Sequence, residues 1–290
     1  LNNNTLIKIP ETYNYIALFL TFACNFKCHY CINRDSDFVP RRKHLSGAEW
    51  VDFIQSLDLK GRKDLPVTLS GGEPSCHKDF FYILENLDEK IPLDILTNLQ
   101  FDLEKFVGVV KPERLNREAP YANIRVSYHP EQCSWESLKK RVLFLMEKGF
   151  RIGVFAIDTP WQKEHVKKCQ EDALNHGIDF RIKDLLGWVD GRLYGKFLYS
   201  AGLSRQRVKK VRCRTSELIV GPDGKVYRCH SDLYADRNAV ARISDQCFQI
   251  ADIYRECSDF GLCNPCDLKI KYNRFQEMGH CSVHILEDED

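Results

Sequence analysis

The 290-residue chain lacks an excess of either charge: 42 lysines and arginines stand against 41 aspartates and glutamates, for a net charge of +1. A broad basic surface for a nucleic-acid backbone is therefore not expected. Long hydrophobic runs are also missing. The longest nearly unbroken one, Tyr15–Ala23, is far too short to span a bilayer, so no membrane partner is expected. The first fourteen residues show no basic n-region of the secretory type, and the expected location is the cytoplasm. There is no internal repeat and no low-complexity segment, which sets aside solenoid and disordered classes. The composition, 43% hydrophobic, 29% charged and 11% aromatic, is that of a folded globular protein. The length suits one large domain, or a barrel-like domain with a small appendage. A pairable cysteine count is absent too. Thirteen cysteines is an odd number, and a core of this size needs no disulfide staples. Thiolate ligation of metal in a reducing compartment is the alternative.

Apolar runs alternate with amphipathic stretches from about residue 15 to 184. Tyr15–Phe22, Pro66–Ser70, Leu93–Thr97, Asn123–Ser127, Arg151–Ile157 and Asp179–Asp184 read as strands. Between them, Ser46 and Glu49 form a capping box ahead of Trp50, Phe53, Ile54 and Leu57. Helices are expected over Asp79–Leu87 and Asp102–Val110, then from the cap Ser134 to Gly149. A further helix is expected from the cap Thr159, with Pro160 in its first turn, to Gly177. Serial strand–helix units predict an α/β fold, a partial (β/α)6 parallel barrel. Its chemistry belongs in the loops after the strands. Glycines and a basic run, Arg205 to Arg214 with Arg207 among them, break the pattern after Leu185. Glu217–Val220 and Lys225–Cys229 flank Gly-Pro-Asp-Gly, a hairpin signal. The expected division is a barrel at 1–190, a linker at 191–212, a small cysteine-rich domain of hairpin plus helix at 213–286, and an acidic tail at 287–290.

Cys24, Cys28 and Cys31 form C-x-x-x-C-x-x-C where the first strand ends. Asn25, Lys27 and His29 make this stretch a loop, not a core strand. Three thiolates in such a loop can wrap one iron–sulfur cluster and leave one iron open, as catalysis needs. Zinc with His29 as fourth ligand is the alternative.

At these residues the sequence resembles the radical S-adenosylmethionine (SAM) superfamily. Tyr30 supplies the aromatic residue before the last cysteine, and Ser70-Gly71-Gly72-Glu73-Pro74 is similar to the family's glycine-glycine-glutamate segment. The resemblance implies that Gly71, Gly72, Glu73 and Pro74 bind the amino group of SAM. Glycines allow close backbone approach, and a carboxylate pairs with an ammonium. It further implies SAM contacts at Thr97, Asn98 and Ser127. After Ser127, relatives often continue with Asp-Gly where this chain has Tyr128-His129-Pro130. The implied chemistry is reductive cleavage of SAM to a 5′-deoxyadenosyl radical that abstracts hydrogen from a substrate. A reductant of the flavodoxin or ferredoxin type would be the electron donor.

Cys213-x(10)-Gly224-x(4)-Cys229 resembles the opening of the SPASM/twitch extension of such enzymes, and Cys263-Asn-Pro-Cys266 adds two thiols. The shorter twitch form implies a second, auxiliary [4Fe–4S] cluster on Cys213, Cys229, Cys263 and Cys266, with Cys257 and Cys281 as replacements. It would accept an electron or position the substrate. A four-cysteine zinc ribbon is the alternative. Cys76 and Cys133 fall in loops on the expected active face and are candidate hydrogen-atom donors, while Cys169 and Cys247 read as small core residues. The first strand begins by residue 15, which favours a small-molecule substrate, or a peptide delivered by a separate recognition protein. A non-catalytic iron–sulfur redox sensor is a further alternative. Substrate, net reaction and oligomeric state are not legible in the sequence.

Overall fold

The computed structural model describes residues 6–33, 43–59, 62, 65–115, 122–206, 208–245, 248–273 and 276–286. Arg207, Cys247 and the acidic tail 287–290 lie outside them. Strand β1 (Tyr15–Thr21) is buried on both faces. Its Ile16, Leu18 and Leu20 enter the main core, whereas Ala17 and Phe19 join a separate cluster on the opposite side. This is the pattern of an interior parallel strand. Helix α1 (Gly47–Gln55) starts at the expected capping box: the Glu49 amide donates to Ser46 Oγ at 3.3 Å, and the Ser46 amide donates to Glu49 Oε2 at 2.7 Å. Trp50, Phe53 and Ile54 then point into the core.

The alternation continues through β2 (Val67–Gly71), α2 (Phe80–Asn86), β3 (Leu93–Thr97), α3 (Leu103–Val109), β4 (Ile124–Tyr128), α4 (Trp135–Glu147), β5 (Ile152–Asp158), α5 (Lys163–Asn175) and β6 (Asp179–Asp184). Ser134 caps α4 by accepting from the Ser137 amide at 3.3 Å, and Trp135, Leu138, Val142 and Leu145 pack inward. Helix α5 departs from expectation. It begins at Lys163, because Thr159 caps no backbone amide and tertiary contacts hold the preceding turn. There Trp161 donates to Glu131 at 3.2 Å and lies against His29, with ring centroids 4.7 Å apart.

The chain continues through β7 (Lys209–Thr215), β8 (Glu217–Val220), β9 (Lys225–Tyr227), α6 (His230–Ala235), β10 (Ala241–Arg242), β11 (Arg255–Phe260), α7 (Pro265–Leu268) and β12 (Val283–Leu286). The central sheet has the order β10-β9-β8-β1-β2-β3-β4-β5-β6. Strands β1 to β6 are parallel in sequence order, as a partial barrel requires. The hairpin β8–β9 was expected inside the small domain; instead β8 pairs parallel to β1, Glu217 opposite Tyr15. It thereby covers an edge that would otherwise expose unpaired amides and carbonyls. The expected linker 191–212 also has structure: Arg192–Tyr194 pairs with Gly187–Val189, and β7 begins within it. A second sheet, β11-β7-β12, stands apart from the barrel strands. Among the described residues no helix is long and apolar enough to cross a membrane.

Replacing Ser46 by Ala removes the cap of α1. The expected loss is about 1 kcal/mol of unfolding free energy in urea titrations, with Ser46→Asp close to wild type.

Candidate functional site

The C-terminal ends of β1, β2 and β3 meet at one carboxylate. Gly71 has φ +141°, and a Cβ there would lie 2.1 Å from the Thr21 carbonyl oxygen. A Cβ on Gly72 would lie 2.4 Å from the carbonyl oxygens of Phe22 and Ala23. Only glycines let this turn press on the end of β1, where Gly72 N donates to Thr21 O at 2.8 Å and Glu73 N to Ala23 O at 2.9 Å. Glu73 is 1% exposed. Its Oε1 accepts from Ser75 N (3.2 Å), Ser75 Oγ (2.7 Å) and Thr97 Oγ1 (2.7 Å), and its Oε2 from Asn98 N (2.6 Å). Burial pushes the carboxyl upward in pKa, and these donors oppose it. With one donor on Oε2, that oxygen keeps acceptor capacity for an ammonium. Asn98 in turn donates to Asn25 Oδ1 at 2.6 Å, which ties β3 to the cysteine loop. Pro74 is buried at the start of the next turn.

In that loop Cys24 is exposed, Cys28 buried and Cys31 half-buried. Burial, then the neighbouring thiols Cys31 and Cys24, push Cys28 up to about 12. Cys24 is raised as well, again chiefly by burial. The loop after β4 holds the cysteine loop in place. Tyr30 Oη and His129 Nδ1 are 2.9 Å apart, Lys27 N donates to Gln132 Oε1 at 2.8 Å, and His29 Nδ1 meets Glu131 at 2.8 Å. His29 is thus engaged by Glu131 and Trp161. Among the described residues no three cysteine sulfurs lie within 4.8 Å of one another. Cys76 is exposed, with Cys24 and Glu73 in electrostatic reach. Cys133 is half-buried, its Sγ 3.9 Å from the His129 carbonyl oxygen. Ser127 is half-buried on the face of β4 opposite the main core.

A second group of thiols surrounds a cavity lined by Cys213, Cys229, Cys257 and Cys263 together with Arg228 and Arg237. Cys229 caps α6, its Sγ accepting from Asp232 N at 3.4 Å. The neighbouring thiols of Cys213 and Cys257 shift each other, Cys257 downward and Cys213 upward in pKa. The spacing suggested Cys266 as the fourth member, but its thiol lies elsewhere, in electrostatic reach of Lys183, Tyr234 and Lys271. Cys281 is buried and donates to the Asp267 carbonyl at 2.9 Å, a structural contact.

Between the two thiol groups lies the inner face of the barrel, whose polar residues the sequence reading missed. Arg125 donates to Asp94 at 3.1 Å and to Thr68 at 3.4 Å. Lys183 is exposed and sits 4.1 Å from the Phe155 ring centre. From the C-terminal side, His230 meets Asp267 at 2.8 Å, Lys271 pairs with Glu217, and Tyr234 lies edge-on to Phe19. The available signal was alternation: Ile124, Val126 and Tyr128 face the helices, so Arg125 and Ser127 face the lumen.

Gly72→Ala should displace the turn from β1, with reduced iron incorporation on reconstitution and at least about tenfold weaker SAM binding. Gly108→Ala is the control: nothing lies within 4 Å of its added Cβ, and stability should rise slightly. Burial depresses His129 to about 4. Above pH 6.5 the ring is neutral folded or unfolded. As pH falls from 6.5 towards 4, only the unfolded chain takes up the proton, so stability should fall by up to about 1.4 kcal/mol per pH unit. Denaturation midpoints of wild type and His129→Gln across that window test this; the variant should show a shallower decline.

The family described as Radical SAM superfamily matches residues 18–180. GTP 3',8-cyclase of Actinobacillus succinogenes is 35% identical over 190 residues, 63% of this chain and 52% of that protein. The enzyme of the same name from Aliarcobacter butzleri is 27% identical over 144 residues, 49% of this chain and 44% of that protein. The chain thus spans about half the length of these curated relatives, or less. Among solved structures, native anSMEcpe with bound AdoMet and a peptide gives a TM-score of 0.55 at 15% identity, covering 80% of this chain and 78% of that one. Streptococcus suis SuiB gives 0.53 at 13% identity, covering 81% and 64%. These two share the fold. Because the family match runs from within β1 into β6, and takes in both the loop of Cys24 and the turn of Glu73, the chain belongs to the radical SAM superfamily.

Proposed function

We propose that this protein is a radical SAM enzyme acting on a small molecule or a peptide, with Cys24, Cys28 and Cys31 holding its SAM-binding [4Fe–4S] cluster. When bound, that cluster supplies the electron that splits SAM, and the resulting 5′-deoxyadenosyl radical takes hydrogen from the substrate. The observation that carries the reading is the junction at Glu73. A buried carboxylate with one oxygen still able to accept stands within electrostatic reach of Cys24, the first of the three thiols. Glu73 would hold the ammonium of SAM, with Gly71, Gly72 and Pro74 shaping the turn. Thr97 and Asn98 would act mainly by orienting Glu73 through their donated hydrogen bonds. Ser127 faces the lumen and would contact SAM from β4. Tyr30, fixed by His129, would brace the loop. Cys76 and Cys133 remain candidate hydrogen-atom donors; of the two, exposure favours Cys76.

A second, auxiliary [4Fe–4S] cluster is proposed on Cys213, Cys229, Cys257 and Cys263. The shared cavity supports this set over one that includes Cys266. Arg228 and Arg237, both anchored on Asp232, would offset the negative charge of four thiolates.

Anaerobic reconstitution with iron and sulfide tests these assignments. Wild type should take up about eight irons and, with a chemical reductant, release 5′-deoxyadenosine from SAM. Cys28→Ala should abolish that release; retained cleavage would remove Cys28 from the site. Cys257→Ala should lose about half the iron, while Cys266→Ala should lose none. The reverse pattern would restore the set suggested by spacing.

A further inference from the structure

Three buried side chains from three parts of the chain converge at the seam between the barrel sheet and the C-terminal segment. Glu217 opens β8, His230 opens α6 and Asp267 lies in α7. They are 2%, 7% and 3% exposed. One ligand atom from each, an imidazole nitrogen and two carboxylate oxygens, lies within 4.8 Å of the others. His230 Nδ1 is 2.8 Å from Asp267 Oδ1 and 3.8 Å from Glu217 Oε2.

The hydrogen bonds within this group leave one atom unanswered. Lys271 pairs with Glu217 Oε1. Glu217 Oε2 is buried and has no hydrogen-bond partner among the described residues, which is costly for a carboxylate. His230 cannot supply one. Its Nδ1 carries at most one proton, Asp267 Oδ1 is the nearer acceptor, and 3.8 Å is too long for a hydrogen bond to Oε2. Charging the ring adds a proton at the other nitrogen and leaves Oε2 as it was. With a neutral imidazole, two carboxylates face one ammonium, so one negative charge remains.

A cation held by Nδ1, Oε2 and Oδ1 answers all three atoms. Two donors about 2.1 Å from one ion at a tetrahedral angle stand about 3.4 Å apart, and the two measured spacings, 2.8 Å and 3.8 Å, bracket that value. Ligating carboxylates are themselves held by hydrogen bonds. Here Lys271 holds the second oxygen of Glu217, and the Ser231 amide donates to Asp267 Oδ2 at 3.2 Å. The His230 amide also donates to Oδ1, at 3.1 Å. Phe19 and Tyr234 pack beside the imidazole, with ring centroids 5.9 Å and 6.2 Å away.

We propose that Glu217, His230 and Asp267 form a site for a single divalent transition ion such as zinc or manganese, separate from both thiol groups. One nitrogen and two oxygens suit such an ion, whereas calcium takes six or more oxygens. Because the ligands come from β8, α6 and α7, the ion pins the C-terminal segment to the barrel sheet. The inference does not rest on the radical SAM reading and would stand if SAM were not cleaved.

Manganese is the probe, because it favours oxygen and nitrogen ligands over thiolates and so spares the cysteine sites. The full chain, reconstituted anaerobically with iron and sulfide, is treated with a chelator and titrated with manganese, the free ion being followed by electron paramagnetic resonance. Wild type should bind one equivalent, and a hundredfold excess over Kd should raise the melting temperature by about 5 °C. Glu217→Gln and Asp267→Asn should each weaken binding at least about hundredfold and abolish the thermal shift, with acid-labile sulfide unchanged. Cys257→Ala should bind manganese as wild type does. The wild-type shift needs no variant, so a substitution that prevents folding does not blunt the test. No stoichiometric binding or no thermal shift in wild type overturns the proposal, since the group is then a charge network alone. Binding kept by both carboxamide variants also overturns it, as does binding lost in Cys257→Ala, which would give the ion to the thiols.

Discussion

The structure around the first thiol group depends on one buried carboxylate. Glu73 collects donors from its own turn and from the end of β3, and its amide reaches back to the end of β1. A charged group at 1% exposure is tolerable only with this many hydrogen bonds. The consequence is positional. Because β1, β2 and β3 are locked together at one point, the loop that leaves β1 and carries Cys24, Cys28 and Cys31 starts from a fixed place. The two glycines before Glu73 are part of the same constraint, since any side chain there would hold the turn off β1.

The C-terminal segment is joined to this arrangement through the sheet. Strand β8 adds to β1 in parallel register, so the helix that follows the hairpin is carried over the inner face of the barrel. That places Tyr234 against Phe19 and within electrostatic reach of both Cys31 and Cys266. The buried pairs Lys271–Glu217 and His230–Asp267 sit at the same seam. Removing one partner from such a pair would leave an uncompensated charge. The two thiol groups are therefore held by shared strands and matched charges, and the lumen between them is a defined space.

Much of the barrel was legible in the chain because periodicity reports burial directly. Trp135, Leu138, Val142 and Leu145 lie three and four residues apart, and α4 buries all of them. The Ser46–Glu49 box is a local interaction and formed as its spacing indicates. The start of α5 was misread because Trp161 is held by Glu131 and His29, partners distant in sequence. Of the site, the cysteine triplet and the glycine-glycine-glutamate turn were visible as motifs. The role of Glu131 and Gln132 in fixing the cysteine loop was not, since a contact across a hundred residues leaves no local pattern.

Sequence alone determined the strand–helix alternation, the three thiols after the first strand and the carboxylate after the second, because each is encoded within a few neighbouring residues. Tertiary structure decided which distant groups share a space. It put Cys257 with Cys213, Cys229 and Cys263 around one cavity that Cys266 does not line. The physical reason is that spacing fixes where a residue falls along the chain, whereas the direction of its side chain depends on the strand pairings and helix positions that only the folded sheet establishes.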